Sequence, residues 1–188
     1  MEINELLKKQ EELHLEIEKE KAEDEFESDG QIVQLVSFTL DEVEYGVDIL
    51  SVHEILRFPE ITRLPNTPDF IKGVINLRGN VIPVVDVRIR FGFDPADVTE
   101  LTRVIVIEAG GRQIGLLVDN VSQVIRIKDH NIDSPSILIE GVSEDFITGV
   151  GRLKDRLIVI LSLKKIIFSN EEIDAENMLE SETLLRSE

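Results

Sequence analysis

The stretch Phe70-Ile71-Lys72-Gly73-Val74-Ile75-Asn76-Leu77-Arg78-Gly79-Asn80-Val81-Ile82-Pro83-Val84-Val85 decides the reading of this chain, because it recurs 76 residues later. Its counterpart is Phe146-Ile147-Thr148-Gly149-Val150-Gly151-Arg152-Leu153-Lys154-Asp155-Arg156-Leu157-Ile158-Val159-Ile160-Leu161. Phe70/Phe146, Ile71/Ile147, Gly73/Gly149, Val74/Val150 and Leu77/Leu153 are identical, and apolar positions mostly face apolar ones. In each copy two apolar runs flank a short polar turn, the pattern of a β-hairpin.

A second block repeats in the same order. Tyr45 to Phe58 aligns without gaps on Ile114 to Ile127 at an offset of 69, with Gly46/Gly115, Val52/Val121 and Arg57/Arg126 identical. Two blocks in one order, at offsets seven residues apart, imply an internal duplication. Around them the chain reads as short strands. Val36, Phe38 and Leu40 alternate with Ser37 and Thr39, and Val104 to Ile107 leads through Gly110-Gly111 into a further run from Gln113 to Val118. Val52 and Ile55, with Glu54 between them, read as a short helical or turning segment. Phe91 to Asp97 is turn-rich and suits a crossover between copies. The expected core is therefore mostly β, a pair of small barrels or a sandwich, with subdomains at about 31–100 and 101–168. Each copy is small and marginal alone, so the two should share a packed interface.

The ends differ in kind. The 188 residues carry a formal charge of −18, with residues 1–30 contributing −8 and 169–188 contributing −6, leaving −4 on the core. Ile3, Leu6, Leu13 and Ile17 at heptad spacing predict a helical N-terminal extension, followed by an acidic linker from Glu23 to Gly30. The C-terminal stretch reads as an acidic tail. This balance argues against non-specific nucleic-acid binding, which needs basic side chains to release phosphate counterions. It equally disfavours docking on an anionic bilayer. Zero cysteines exclude disulfides and thiolate zinc sites. The Met1-Glu2-Ile3-Asn4-Glu5 start is no secretory signal, and no apolar run is long enough for direct membrane insertion. A cytoplasmic protein is expected.

The functional signal lies where the copies disagree. At the hairpin turn the first has Asn76-Leu77-Arg78-Gly79 and the second Arg152-Leu153-Lys154-Asp155. Gly79 suits a positive φ, and Asn76 can bond its own turn. Arg78 adds nothing to turn mechanics; its planar fork suits a carboxylate or carbonyl, on a partner or in an internal ion pair. Pro83 implies an edge strand or a bulge. No catalytic or metal constellation is present: His14, His53 and His130 are scattered, and neither a phosphate loop nor a nucleophile elbow occurs. The expectation is a protein-binding module, not an enzyme, with no cofactor and no metal.

The order of motifs resembles the CheW-type chemotaxis coupling family. Tyr45-Gly46-Val47-Asp48-Ile49 through Val52-His53-Glu54-Ile55 is similar to the family's start. Leu64-Pro65-Asn66-Thr67-Pro68, then Phe70 to Gly79 and Val81 to Asp86, is similar to its central signature, and Ile114 to Val121 continues the match. The resemblance covers about residues 31–168. It implies two similar SH3-like five-stranded β-barrel subdomains with short helices. It also implies a non-enzymatic cytoplasmic adaptor that couples the tips of methyl-accepting chemoreceptors to the regulatory domain of the histidine kinase CheA, or, alternatively, serves a related array such as one controlling surface motility. Val52, Glu54, Gly73 and Arg78 match positions of receptor or kinase binding in the family, with Gly73 read as supporting the backbone; Gly73, Asn76 and Gly79 then form the structural turn at the binding region. Ser162 departs from the Asp common at its position.

Overall fold

The computed structural model describes residues 30–135 and 142–168. The expected helical N-terminal extension with its linker, 1–30, and the tail over 169–188 fall outside them, apart from Gly30. The chain divides into two units, Met1–Ile32 and Val33–Glu188; the second is the one described here.

It begins with β1 (Ile32–Leu40) and β2 (Val43–Asp48), then a 3-10 turn at Ile49–Ser51 and β3 (Val52–Arg57). The hairpin β4 (Ile71–Leu77) and β5 (Asn80–Asp86) follows, capped by the short helix α1 (Val87–Arg90). The second copy repeats this as β6 (Arg103–Ala109), β7 (Arg112–Val118), β8 (Asn120–Lys128), β9 (Ile132–Asp133), β10 (Ile147–Arg152), β11 (Leu157–Leu161) and α2 (Leu163–Phe168). Val52 to Ile55 are thus strand rather than helix; the helical turn stops at Ser51, where the β-branched residues Val52 and Ile55 favour the extended pleat.

The strands form two sheets, ordered β3-β6-β7-β5-β4 and β8-β1-β2-β11-β10-β9. Neither sheet follows the division near residue 100. The five-stranded sheet takes its β6–β7 hairpin from the second copy and three strands from the first, and the six-stranded sheet takes its β1–β2 hairpin from the first copy and four strands from the second, so the copies exchange leading hairpins reciprocally. The duplication extends to the hydrogen-bond register. Parallel pairing joins Gly115 to Val84 and Gly46 to Ile160, equivalent pairs in the two alignments. The β4–β5 register shifts between Ile71 and Gly73, and β10–β11 shifts between Ile147 and Gly149. The amide of Asp86 donates to the carbonyl of Phe70 at 2.7 Å, and that of Ser162 to Phe146 at 2.8 Å. Even the sixth strand has an echo: β9 pairs with Val150, where the first copy has the isolated bridge Thr62–Val74.

Three apolar clusters fill the interior. Val104 and Val106 of β6 join Ile75, Ile82 and Val84 in one sheet's own cluster, and Leu35, Ile125, Ile158 and Ile160 form the equivalent in the other. The opposite faces of the same strands, such as Ile105 and Ile107 of β6 and Val36, Phe38 and Leu40 of β1, merge in a large shared core. Strands buried on both faces read as continuous apolar runs, which is why Val104 to Ile107 shows no polar alternation. Gly46 and Gly115 are held glycine by packing, since a Cβ there would stand 2.9 Å from Ile158 Cδ1 and 2.8 Å from Val104 Cγ1.

Pro83 sits in β5, an interior strand flanked by β7 and β4. Pairing with β7 begins only at Val84, so the missing amide costs no ladder bond, and the register shift lies opposite the neighbouring residues. Pro83 is therefore neither on an edge nor itself bulged: it pairs in register with Val74, and the extra residue, Lys72, lies on the partner strand β4.

Candidate functional site

Strands β3 and β4 are the two edges of the five-stranded sheet. Between them lies a groove of about 550 Å³, lined by Leu56, Arg57, Pro59, Glu60, Thr62 and Ile75 to Leu77. Its far wall, Pro59 to Thr62, is fastened to β4 by reciprocal backbone bonds: Thr62 N–H donates to Val74 O at 2.9 Å, and Val74 N–H to Thr62 O at 2.8 Å. Gly73 permits that approach. It has φ +147°, and a Cβ there would stand 2.8 Å from both Ile61 Cγ2 and the Thr62 carbonyl carbon, and closer still to Thr62 O.

Beside the groove, the structure brings Glu54 and Arg78 together. The guanidinium grips the carboxylate with both prongs, at 2.8 and 3.2 Å. Arg78 and Gly79 form a two-residue turn between Leu77 and Asn80 with φ +52° and +87°. Two positive φ values are the mark of a type I′ turn, which favours Asn-Gly or Gly-Gly. The Asn76 Oδ1 accepts the Gly79 amide at 3.0 Å and braces it. Holding Arg in this conformation costs on the order of 1 kcal/mol. With the Arg78 side chain 71% exposed, a surface ion pair returns only about 0.2–1 kcal/mol. The pair therefore roughly offsets its own strain, and folding stability alone gives no reason for Arg at this turn.

Val52 is not brought into that pair. It lies at the start of β3, half-buried against the shared core. Between it and Glu54 the β3–β6 register shifts, leaving His53 unpaired at a bulge on the edge strand. Bulges at sheet edges re-aim side chains and end pairing.

A second polar cluster was not legible in the sequence. Arg88 of α1 reaches Asp119 at 2.5 Å, Asp41 at 2.6 Å and the Asp94 carbonyl at 2.9 Å. It ties the β1–β2 turn to the point where the chain passes from one sheet to the other. Burial pulls this guanidinium down, but the hydrogen bonds and charges of Asp41 and Asp119 outweigh it and hold it above its ordinary value. The neighbouring Arg90 lies over the Phe70 ring at 4.2 Å and the Phe146 ring at 5.2 Å, and donates to Ile166 O at 3.0 Å. The only sequence signal was asymmetry: Lys164 and Ile166 occupy the equivalent positions in the second copy. Asp86 caps α1 by accepting the amides of Arg88 and Ile89. Among the described residues no group of three or more His, Asp or Glu side chains could hold a metal ion.

A family model described as a CheW-like domain matches residues 34–171. The chain belongs to the CheW-like family. Among its CheW relatives, the chemotaxis protein CheW of Klebsiella aerogenes is 37% identical over 148 residues, covering 79% of this chain and 89% of that one. The chemotaxis protein CheW of Helicobacter pylori is 33% identical over 142 residues, 75% of this chain and 85% of its own. A solved structure, the scaffolding protein TtCheW from Thermoanaerobacter tengcongensis, superposes with a TM-score of 0.71 at 37% identity, covering 76% of this chain and 97% of that one. The CheW-like chain is accordingly an adaptor in chemotaxis signalling. No described helix is long and apolar enough to cross a membrane.

Proposed function

We propose that this CheW-like chain couples methyl-accepting chemoreceptors to the histidine kinase CheA in the cytoplasm, as a non-enzymatic scaffold whose two sheets act as SH3-like barrels. The adaptor role resides in residues 31–168, with 1–30 and 169–188 as acidic flanks. The β3–β4 groove is the docking surface for one of the two partners, with Arg78, Glu54 and Val52 as its binding residues and Gly73, Asn76 and Gly79 as its supports.

One observation carries this reading: an arginine at φ +52° whose ion pair with Glu54 does no more than offset the strain of holding it there. Backbone strain that folding does not need is characteristic of binding sites. Arg78 and Glu54 hold the two groove edges at a fixed separation, and the guanidinium retains donors for a partner carbonyl or carboxylate. The test is titration of wild type and Arg78→Ala with purified receptor cytoplasmic fragment and with the CheA regulatory domain. Loss on the order of 2 kcal/mol toward one partner is expected. A folded Arg78→Ala protein that binds both as tightly as wild type overturns the assignment.

A further inference from the structure

The exchange of hairpins interlocks the two copies. In the five-stranded sheet the β6–β7 hairpin is bordered on both sides by first-copy strands, β3 and β5. In the six-stranded sheet the β1–β2 hairpin is bordered on both sides by second-copy strands, β8 and β11. Neither copy has a ladder between its own leading hairpin and its own remaining strands. Without β6–β7, β3 would stand apart from β5 with both edges open. Side chains tighten the same boundary. Arg156 meets Glu44 at 2.7 Å, the Phe91 ring stacks on Phe146 with centres 5.3 Å apart, and Arg90 Nε donates to Ile166 O at 3.0 Å. An isolated hairpin is marginal at best in water, so each copy folds only against its complement.

Nothing in that boundary requires both copies to lie on one chain. The first copy ends at the buried Phe91 and the second begins at the buried Thr102, and the chain passes between them through Gly92 to Leu101. No strand or helix forms there, and every residue from Asp94 to Leu101 is exposed. The stretch is fastened near its two ends. Gly92 and Phe93 donate to the Ile89 and Arg88 carbonyls at 3.0 and 2.9 Å, and the Thr99 amide donates to Thr102 Oγ1 at 2.8 Å. Copies carried by two different chains would therefore meet through the same ladders and the same core. We propose that a second copy of this chain is a partner, bound by exchange. Residues 31–91 of one chain pair with 102–168 of the other, and the reverse, with Gly92 to Leu101 as the hinge. Such an exchange is a low-cost route to a dimer. It yields two complete folds, each with its own β3–β4 groove, and it stands apart from the receptor–kinase reading.

Monomer and exchanged dimer share every ladder, so their balance rests on the effective concentration that a short link provides, on the order of 1 mM. Chains refolded from urea at about 1 mM should divide roughly equally between the two forms, against roughly 2% in dimers at about 10 µM. The test uses the full chain with a protease recognition sequence inserted between Ala96 and Asp97, refolded beside the unaltered chain, and sizes both by light scattering. Cutting the monomer is expected to leave its two fragments together as one particle with unchanged circular dichroism. Cutting the dimer is expected to return particles of monomer size, since each complete fold then holds one piece of each chain. Fragments that separate or unfold after the cut overturn the proposal, because exchange needs copies that bind without a covalent link. A dimer that survives the cut is held face to face and equally overturns it. So does the absence of dimer from the unaltered chain at the higher concentration.

Discussion

Gly73→Ala tests the groove's construction most directly. The new methyl would lie under 3.0 Å from three atoms, two of them backbone atoms of Thr62, which cannot rotate away as a side-chain tip can. Thr62 must move, and with it go the paired bonds to Val74 at 2.9 and 2.8 Å. Each is worth about 1 kcal/mol net. The φ of +147° adds strain of about 1–3 kcal/mol for any residue with a Cβ. The expected loss is about 3–5 kcal/mol, a large part of a typical domain stability of about 5–15 kcal/mol. Gly149→Ala is the matched control. It occupies the equivalent position and meets Ile132 Cγ2 at 2.8 Å and Asp133 O at 2.9 Å, without a positive φ. Urea unfolding of both variants, followed by circular dichroism, gives the comparison. If Gly73→Ala costs under about 1 kcal/mol, or no more than Gly149→Ala, the claim that Gly73 fastens the Pro59–Thr62 wall is wrong.

Three further outcomes follow from the same geometry. Arg78→Asn supplies a residue at ease in the left-handed region, so thermal stability should hold or rise by up to about 1 kcal/mol while partner affinity falls; a parallel loss of both would mean Arg78 is merely structural. Tyr45 is fully buried, and its hydroxyl is the single buried side-chain polar atom without a partner among the described residues. Burial, then the charge of Asp41, pushes its pKa up to about 12 from 10.0. A folded value above the unfolded one means this stabilisation is present below pH 10 and is lost as pH rises through 12, worth about 2–3 kcal/mol. Tyr45→Phe should be neutral or slightly stabilising at pH 7, and should lose less stability than wild type between pH 10 and 12 in chemical denaturation. Arg88→Ala leaves Asp41 and Asp119 facing each other without their shared cation, and should cost about 1–3 kcal/mol; a double-mutant cycle with Asp119→Ala that shows no coupling would discount the network.

The duplication was legible because the copies retain the same residues wherever geometry allows one solution. Gly46 and Gly115 lie where a Cβ would collide, and Ile71/Gly73 and Ile147/Gly149 flank the same register shift. The hairpin turn was legible for a similar reason, since Asn76 and Gly79 are turn chemistry in any context. Which strands share a sheet was not. Apolar alternation reports that a strand is buried, not which neighbour buries it, and a chain read in order suggests that each half folds on itself. The Arg88 cluster escaped for the same reason: Asp41, Arg88 and Asp119 are 47 and 31 residues apart, and ordinary charged residues carry no local mark of pairing.

The sequence by itself determined that two related β-copies exist, where their turns fall, that the acidity belongs to the flanks, and that Arg78 is odd. These are local properties, fixed by side-chain volume, φ preference and charge within a few residues. Tertiary structure alone decided the reciprocal hairpin exchange, the meeting of Glu54 with Arg78 across two sheet edges, and the placing of Arg57 opposite Arg103. Those depend on contacts between segments far apart in the chain, and only packing of the shared core selects among the many arrangements the local pattern permits.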